Sequence, residues 1–166
     1  LATGAYTTPN FGWFRRRIIP VGSFIVATRA LTEEEVRKTL PGDRTCVTSL
    51  NVGNYFRLSP DRRLIFGGRA RFSARSDQGS DAKSGKVLRA AMTNLFPHLA
   101  DVGIDYCWGG MVDMTKDRYP RAGQVDGIYY AMGYSGHGAQ LATHLGEIMA
   151  DQMRGEKREN PWTTLP

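Results

Sequence analysis

A short apolar segment, 127–132, runs into Gly133-Tyr134-Ser135-Gly136-His137-Gly138 and then into an amphipathic stretch that ends at Arg154. This strand–loop–helix order constrains the fold more than any other feature. Three glycines within six residues allow dihedrals closed to other residues and expose backbone amides. A helix start offers unpaired N–H groups and partial positive charge, which suits an anion or an electron-rich oxygen. Leu141, Leu145, Ile148, Met149 and Met153 form the helix's apolar stripe, and Gly155 ends it. Gly138, Ala142, Gly146 and Ala150 form a second row, four residues apart. Tight helix-to-sheet packing is the ordinary reading of that row, and close approach of a flat ligand is the other. The strand that feeds such a unit calls for parallel partners, which the rest of the chain hardly supplies.

The preceding residues read as mostly antiparallel structure. Leu1–Tyr6 looks like a strand end running into a glycine turn. The run 18–29 is a strand that Pro20 and Gly22 interrupt early or place at an edge. Thr32-Glu33-Glu34-Glu35 is a capping-box pattern that opens a short helix, stopped by Pro41-Gly42. Residues 45–51 are a strand candidate. Tyr55–Leu58 and 64–72 flank Ser59-Pro60-Asp61-Arg62 and form a hairpin, with a bulge or close backbone approach at Gly67-Gly68. Residues 75–85 read as a loop and 86–96 as a helix. Ile104–Met114 reads as a strand broken or bent at Gly109-Gly110, 117–123 as a turn, and 155–166 as a frayed polar tail. This order predicts an α+β fold: a mixed, largely antiparallel sheet with flanking helices and a C-terminal helix.

Composition narrows the function classes. The 166 residues are 41% hydrophobic and 23% charged, ordinary for a globular chain. No apolar run is long enough to span a bilayer. The net charge is +6, but the charges are dispersed apart from Arg15-Arg16-Arg17, which argues against nucleic acid as a partner. Cys46 and Cys107 carry neither metal-ligand spacing nor a disulfide framework, as expected of buried thiols in a cytoplasmic protein.

Four segments, in order, resemble the C-terminal part of the D-amino-acid-oxidase-like family of FAD-dependent oxidoreductases and, within it, the gamma-glutamylputrescine oxidoreductase branch. They are Ala2-Thr3-Gly4-Ala5-Tyr6; Tyr55–Asp61 with Leu64–Gly68; Trp108-Gly109-Gly110 with Thr115, Asp117, Arg118 and Pro120; and Gly133–Gly138. The resemblance implies cofactor contacts at Gly4, Gly109, Gly110, Gly133, Tyr134, Ser135, Gly136, His137 and Gly138. It implies substrate contacts at Tyr55, Arg57 and Trp108. His137 is expected to act through its backbone, and Arg57 reads more readily as a hairpin surface charge than as a substrate clamp. The implied organisation is 1–10 as the end of an FAD-binding segment and 11–106 as a substrate-binding domain. Residues 107–155 would return to the FAD-binding domain, and 156–166 would form a tail.

The implied chemistry is oxidation of the C–N bond of an amine or amino acid by hydride transfer to non-covalent FAD, with no dedicated catalytic residue. No G-x-G-x-x-G follows a strand in this chain, so the expectation is a C-terminal portion of a longer enzyme, inactive by itself. Glycine-oxidase-like members place an arginine where this chain reads Met111-Val112-Asp113, which shifts the expected substrate towards an amine such as a polyamine derivative. Members that attach flavin through a cysteine do so where Gly110 stands. A non-catalytic substrate-domain module that binds a ligand or protein partner stays open as the alternative. Exposed sheet edges leave a homodimer open as well.

Overall fold

The computed structural model describes residues 5–7, 10–50, 53–71 and 78–163. The chain forms two compact units, one of Gly22–Gly110 and one of Leu1–Val21 with Met111–Pro166.

In the Gly22–Gly110 unit, strands β1 (Ile19–Ala30), β2 (Cys46–Val47), β3 (Tyr55–Leu58), β4 (Arg63–Arg71) and β5 (Ile104–Met114) pair in the order β2-β3-β4-β1-β5. The pairings of β1 with β4, β2 with β3 and β3 with β4 are antiparallel. The fold is therefore α+β with a largely antiparallel sheet, as expected. Period-two alternation aims Phe56 and Leu58 of β3 into the core and leaves Tyr55 and Arg57 on the other face. Leu88 and Met92 of the helix at Gln78–Leu95 pack with Phe24, Val26, Leu64 and Phe66 in that core. Phe56 stacks on Phe66 at 5.6 Å between ring centroids and meets Phe96 edge-on at 5.3 Å. Such aromatic pairs add about 0.5–1.5 kcal/mol beyond their burial.

The capping box forms as the sequence dictates. Thr32 accepts from Glu35 N–H at 3.2 Å, and the Glu35 carboxylate accepts from Thr32 N–H at 2.8 Å. The Arg29 guanidinium, 2.8 Å away, and the Thr32 amide hold the Glu35 carboxyl down to about 2. Thr32→Ala removes one acceptor for a helix of only seven residues, Glu33–Thr39. It is expected to cost about 1 kcal/mol in urea denaturation, and a Ser at the same position is expected to keep nearly all of it.

The second unit is built on a hairpin of β6 (Arg121–Val125) and β7 (Ile128–Met132). Asp126 and Gly127 both have positive φ, 49° and 77°, which makes the two-residue turn whose twist matches the strands it joins. Leu145, Ile148 and Met149 of the helix Gly138–Met153 pack on Ala122 and Ala131 of the hairpin, with Trp162 beside them. Phe14 and Ile18 pack on Tyr130 and Met132. Trp13 and Phe14 belong to a four-residue helix, Gly12–Arg15.

Several expectations are corrected. The last strand, β7, pairs antiparallel with β6 among the described residues, a partner that was read as a turn. Residues 121–123, read as part of a turn, open β6, and 78–85, read as loop, are the first turns of the Gln78–Leu95 helix. β5 runs unbroken through Gly109 and Gly110. β1 lies between β4 and β5 rather than at an edge, with Pro20 ahead of its first β4 pairing at Gly22. The 45–51 candidate narrows to Cys46–Val47 among the described residues. Cys46 and Cys107 are half-buried rather than buried. The tail does not fray over 160–163: Asn160 donates to the Ala122 carbonyl at 3.1 Å, and Pro161–Thr163 form a 3-10 turn.

Candidate functional site

The loop after β7 is held by the end of β5, twenty residues earlier in the chain. Gly133 N–H donates to Asp113 Oδ2 at 2.6 Å, and Ser135 N–H donates to the Asp113 carbonyl at 2.9 Å. Thr115 N–H donates to Ser135 Oγ at 3.3 Å, which itself donates to the Gly133 carbonyl at 3.2 Å. Gly133, Ser135 and Gly136 take φ of 77°, 52° and 89°. For Ser135 this is an uncommon conformation that neighbouring bonds must sustain. Gly133 and Ser135 are buried, while Gly136 and His137 are exposed.

Asp113 is 7% exposed, and burial pushes its carboxyl above the usual range, opposed by the backbone N–H groups of Gly133, Asp113 and Tyr134. Burial, and then the Asp113 charge, raise the Tyr134 phenol.

The helix beyond the loop begins without a side-chain cap on its N-terminal residue, His137. Leu141 makes the first backbone bond across the helix start, to the His137 carbonyl at 3.2 Å. The N–H groups of Gly138, Ala139 and Gln140 have no acceptor among the described residues. A Cβ at Gly136 would meet nothing within 4 Å, so a side chain there is opposed only by the backbone φ of 89°. The row of small residues is not taken up by packing either: Ala142 and Gly146 are exposed, and a Cβ at Gly146 would also meet nothing. The arrangement is an open backbone surface with three donors and a positive helix end, which fits an electron-rich planar group that takes on negative charge.

The turn 115–121 is braced from within. Thr115 Oγ1 donates to the Tyr119 carbonyl at 2.8 Å, Tyr119 N–H donates to Asp117 at 3.1 Å, and Arg121 pairs with Asp117. The Arg121 guanidinium holds the Asp117 carboxyl at about 2. Beside this turn lies a cleft of about 710 Å³, lined on its basic wall by Arg16, Arg17, Lys116 and Arg121. Arg17 lies over the Trp13 ring at 3.8 Å and donates to the Trp13 carbonyl, so the Arg15–Arg17 run is partly committed to its own unit.

Of the site residues expected from sequence, Gly133–Gly138 form this single loop and helix start. Tyr55 and Arg57 share one face of β3 in the other unit. Tyr55 lies against Gly67, and its hydroxyl is 3.0 Å from Ser23 Oγ. Arg57 is exposed and donates to the Leu58 carbonyl. Trp108, 43% exposed, precedes Gly109 and Gly110 on β5. Gly4 lies outside the described residues. Asp113 and Ser135, the pair that shapes the loop, were not linked by sequence reasoning, and β5 carries a second acidic residue, Asp105, so Asp113 did not stand out.

A family model described as FAD dependent oxidoreductase matches residues 1–152. The chain belongs to the FAD dependent oxidoreductase family. It is 35% identical to gamma-glutamylputrescine oxidoreductase of Escherichia coli K12 over 91% of this chain and 35% of that protein. It is 37% identical to the probable oxidoreductase OrdL of Haemophilus influenzae Rd over 85% of this chain and 31% of that protein. The glycine oxidase of Bacillus cereus ATCC 14579 shares its fold, with a TM-score of 0.73 at 19% identity, over 96% of this chain and 43% of that one. The chain thus spans about a third of the length of these curated relatives. No helix among the described residues is long and apolar enough to cross a membrane.

Proposed function

We propose that this chain supplies the substrate-binding sheet and one wall of the flavin site in an enzyme that oxidises the C–N bond of an amine. The observation that carries this reading is the loop Gly133–Gly138, with its positive-φ glycine at 136, opening into a helix start whose N–H groups at 138–140 meet no acceptor among the described residues, in a chain of this family. FAD, when bound, accepts a hydride equivalent from the carbon beside the amine nitrogen, and the imine product hydrolyses to a carbonyl compound. The chain's own part is to hold the cofactor non-covalently and to present N–H dipoles where negative charge develops. The backbone amides of Gly136 and Gly138 are the groups assigned to that task, with Gly109 and Gly110 of β5 as further contacts; the His137 N–H, expected to join them, donates to the Tyr134 carbonyl at 2.9 Å instead. Tyr55 and Trp108 are assigned to the aromatic side of the substrate pocket, with Arg57 at its margin, where exclusion of water matters.

An amine is favoured over an α-amino acid because 111–113 carries no cation for a carboxylate. The acidic residue in that stretch, Asp113, is directed to the Gly133 amide. The likeness to gamma-glutamylputrescine oxidoreductase supports a γ-glutamylated polyamine as the substrate class. The 166-residue chain alone is expected to turn over no amine.

The test uses the full-length polypeptide that carries this chain. Apo-protein should bind FAD, and an amine substrate should bleach the flavin under anaerobic conditions. Gly136→Val should weaken FAD binding, because a branched side chain strains a backbone held at φ 89°. A protein that purifies colourless and cannot be reconstituted with FAD removes the proposal, and unchanged affinity in the variant removes the loop from it.

A further inference from the structure

A buried carboxylate with no cationic partner is costly, and a neutral residue would fill the same space without that cost. Asp113 is such a group: it is 7% exposed, and among the described residues no cation pairs with it. Its hydrogen bonds offset that cost. The carboxylate accepts from Gly133 N–H, and the carbonyl of the same residue accepts from Ser135 N–H. One residue of β5 therefore grips both ends of the segment Gly133–Ser135, in which Ser135 holds a φ of 52° that a residue with a side chain seldom adopts unaided. A charged acceptor is the stronger kind, and its bond to Gly133, at 2.6 Å, is the shortest backbone contact in the loop.

We propose that Asp113 is a positioning residue: acting through Gly133, its buried carboxylate sets the conformation of Gly133–Ser135 and thereby the placement of the flavin-facing amides of Gly136 and Gly138. The proposal rests on the flavin reading of this loop. It assigns Asp113 no contact with cofactor or substrate and no proton transfer. It also gives a reason for a buried acidic side chain on β5, whose other acidic residue, Asp105, is exposed and paired with Arg63.

The experiment compares Asp113→Ala, Asp113→Leu and Asp113→Asn in the full-length polypeptide that carries this chain. Two quantities are read: amide hydrogen exchange of the peptide covering 133–137, with and without FAD, and FAD affinity by flavin fluorescence. The leucine fills the space but accepts no hydrogen bond, whereas the asparagine keeps an amide oxygen for Gly133 N–H. Ala and Leu are expected to speed exchange of the segment and weaken FAD binding by about tenfold each. Asn should recover to within about threefold of the parent protein, since a neutral acceptor is weaker than a charged one but present.

A leucine variant that matches the parent in both readouts overturns the proposal, because packing alone then suffices. If exchange quickens while FAD affinity holds, the link from Asp113 to the cofactor is overturned. Should FAD leave exchange of the parent's 133–137 segment unchanged, the flavin reading itself fails and the proposal falls with it. The Leu–Asn comparison decides the matter even where the alanine variant does not fold, and exchange in peptides of Gly22–Gly110 serves as the folding control.

Discussion

Gly133→Ala is expected to destabilise the protein by about 2–5 kcal/mol, far more than the same substitution at other glycines with the same backbone angle. Two effects add at this position. An L residue in the left-handed region costs about 1–2 kcal/mol. A Cβ built at Gly133 also lies 2.4 Å from Thr115 Cγ2, and Thr115 is buried, branched at Cβ and tied to the Tyr119 carbonyl at 2.8 Å, so it yields poorly. Forcing an extra methyl into such a place costs about 1–3 kcal/mol.

Gly127 and Gly155 share the φ of 77°, yet a Cβ at either meets nothing within 4 Å. Gly127→Ala and Gly155→Ala therefore measure the backbone part alone. The excess at Gly133 should shrink when Thr115→Ser removes the clashing methyl and leaves the hydroxyl. Urea denaturation of the four single variants and the Gly133–Thr115 double variant reads each part. Equal costs at 127, 133 and 155 would show that Thr115 does not confine the loop.

The same residues show where sequence is readable and where it is not. Thr32 and Glu35 announce their capping box because both partners lie within four residues. The hairpin at Ser59–Arg62 is legible for the same reason: turn chemistry is local. The β6–β7 hairpin carried an equally local mark, Asp126-Gly127, but Gly123 and Pro120 gave β6 the look of a turn. The first turns of the Gln78–Leu95 helix were hidden differently. Ser84 is buried there, and a Cβ at Gly85 would come within 2.9 Å of Cys107 Sγ. Small residues allow that helix to approach β5 closely, and in sequence small residues imitate a loop. For the candidate site, the glycines of 133–138 are visible in sequence, while the bonds from Asp113 and Thr115 arise only when β5 and β7 meet. A hydrogen bond across twenty residues leaves no periodic trace.

Gly67→Ala tests the other unit, and its sign should depend on a single partner. Gly67 of β4 sits opposite Tyr55 of β3, and a Cβ on it would lie 2.1 Å from Tyr55 Cε2 and 2.3 Å from Cζ. The ring covers the glycine, as aromatic side chains do for bare backbone in sheets. An alanine must displace the ring from its place, where the hydroxyl is 3.0 Å from Ser23 Oγ. Overpacking of about 1–3 kcal/mol and a lost hydrogen bond of about 1 kcal/mol give an expected cost of about 2–4 kcal/mol. No positive φ attaches to Gly67, so the backbone itself accepts a side chain. In a Tyr55→Ala background the obstacle is gone, and alanine in a strand is better than glycine by about 0.5–1 kcal/mol. Gly67→Ala should then become neutral or stabilising. The change of sign, read by urea denaturation across the double-mutant cycle, separates a steric requirement for glycine from a conformational one. A cost that persists without the Tyr55 ring would mean that β4 needs glycine at 67 for a reason other than this aromatic cover.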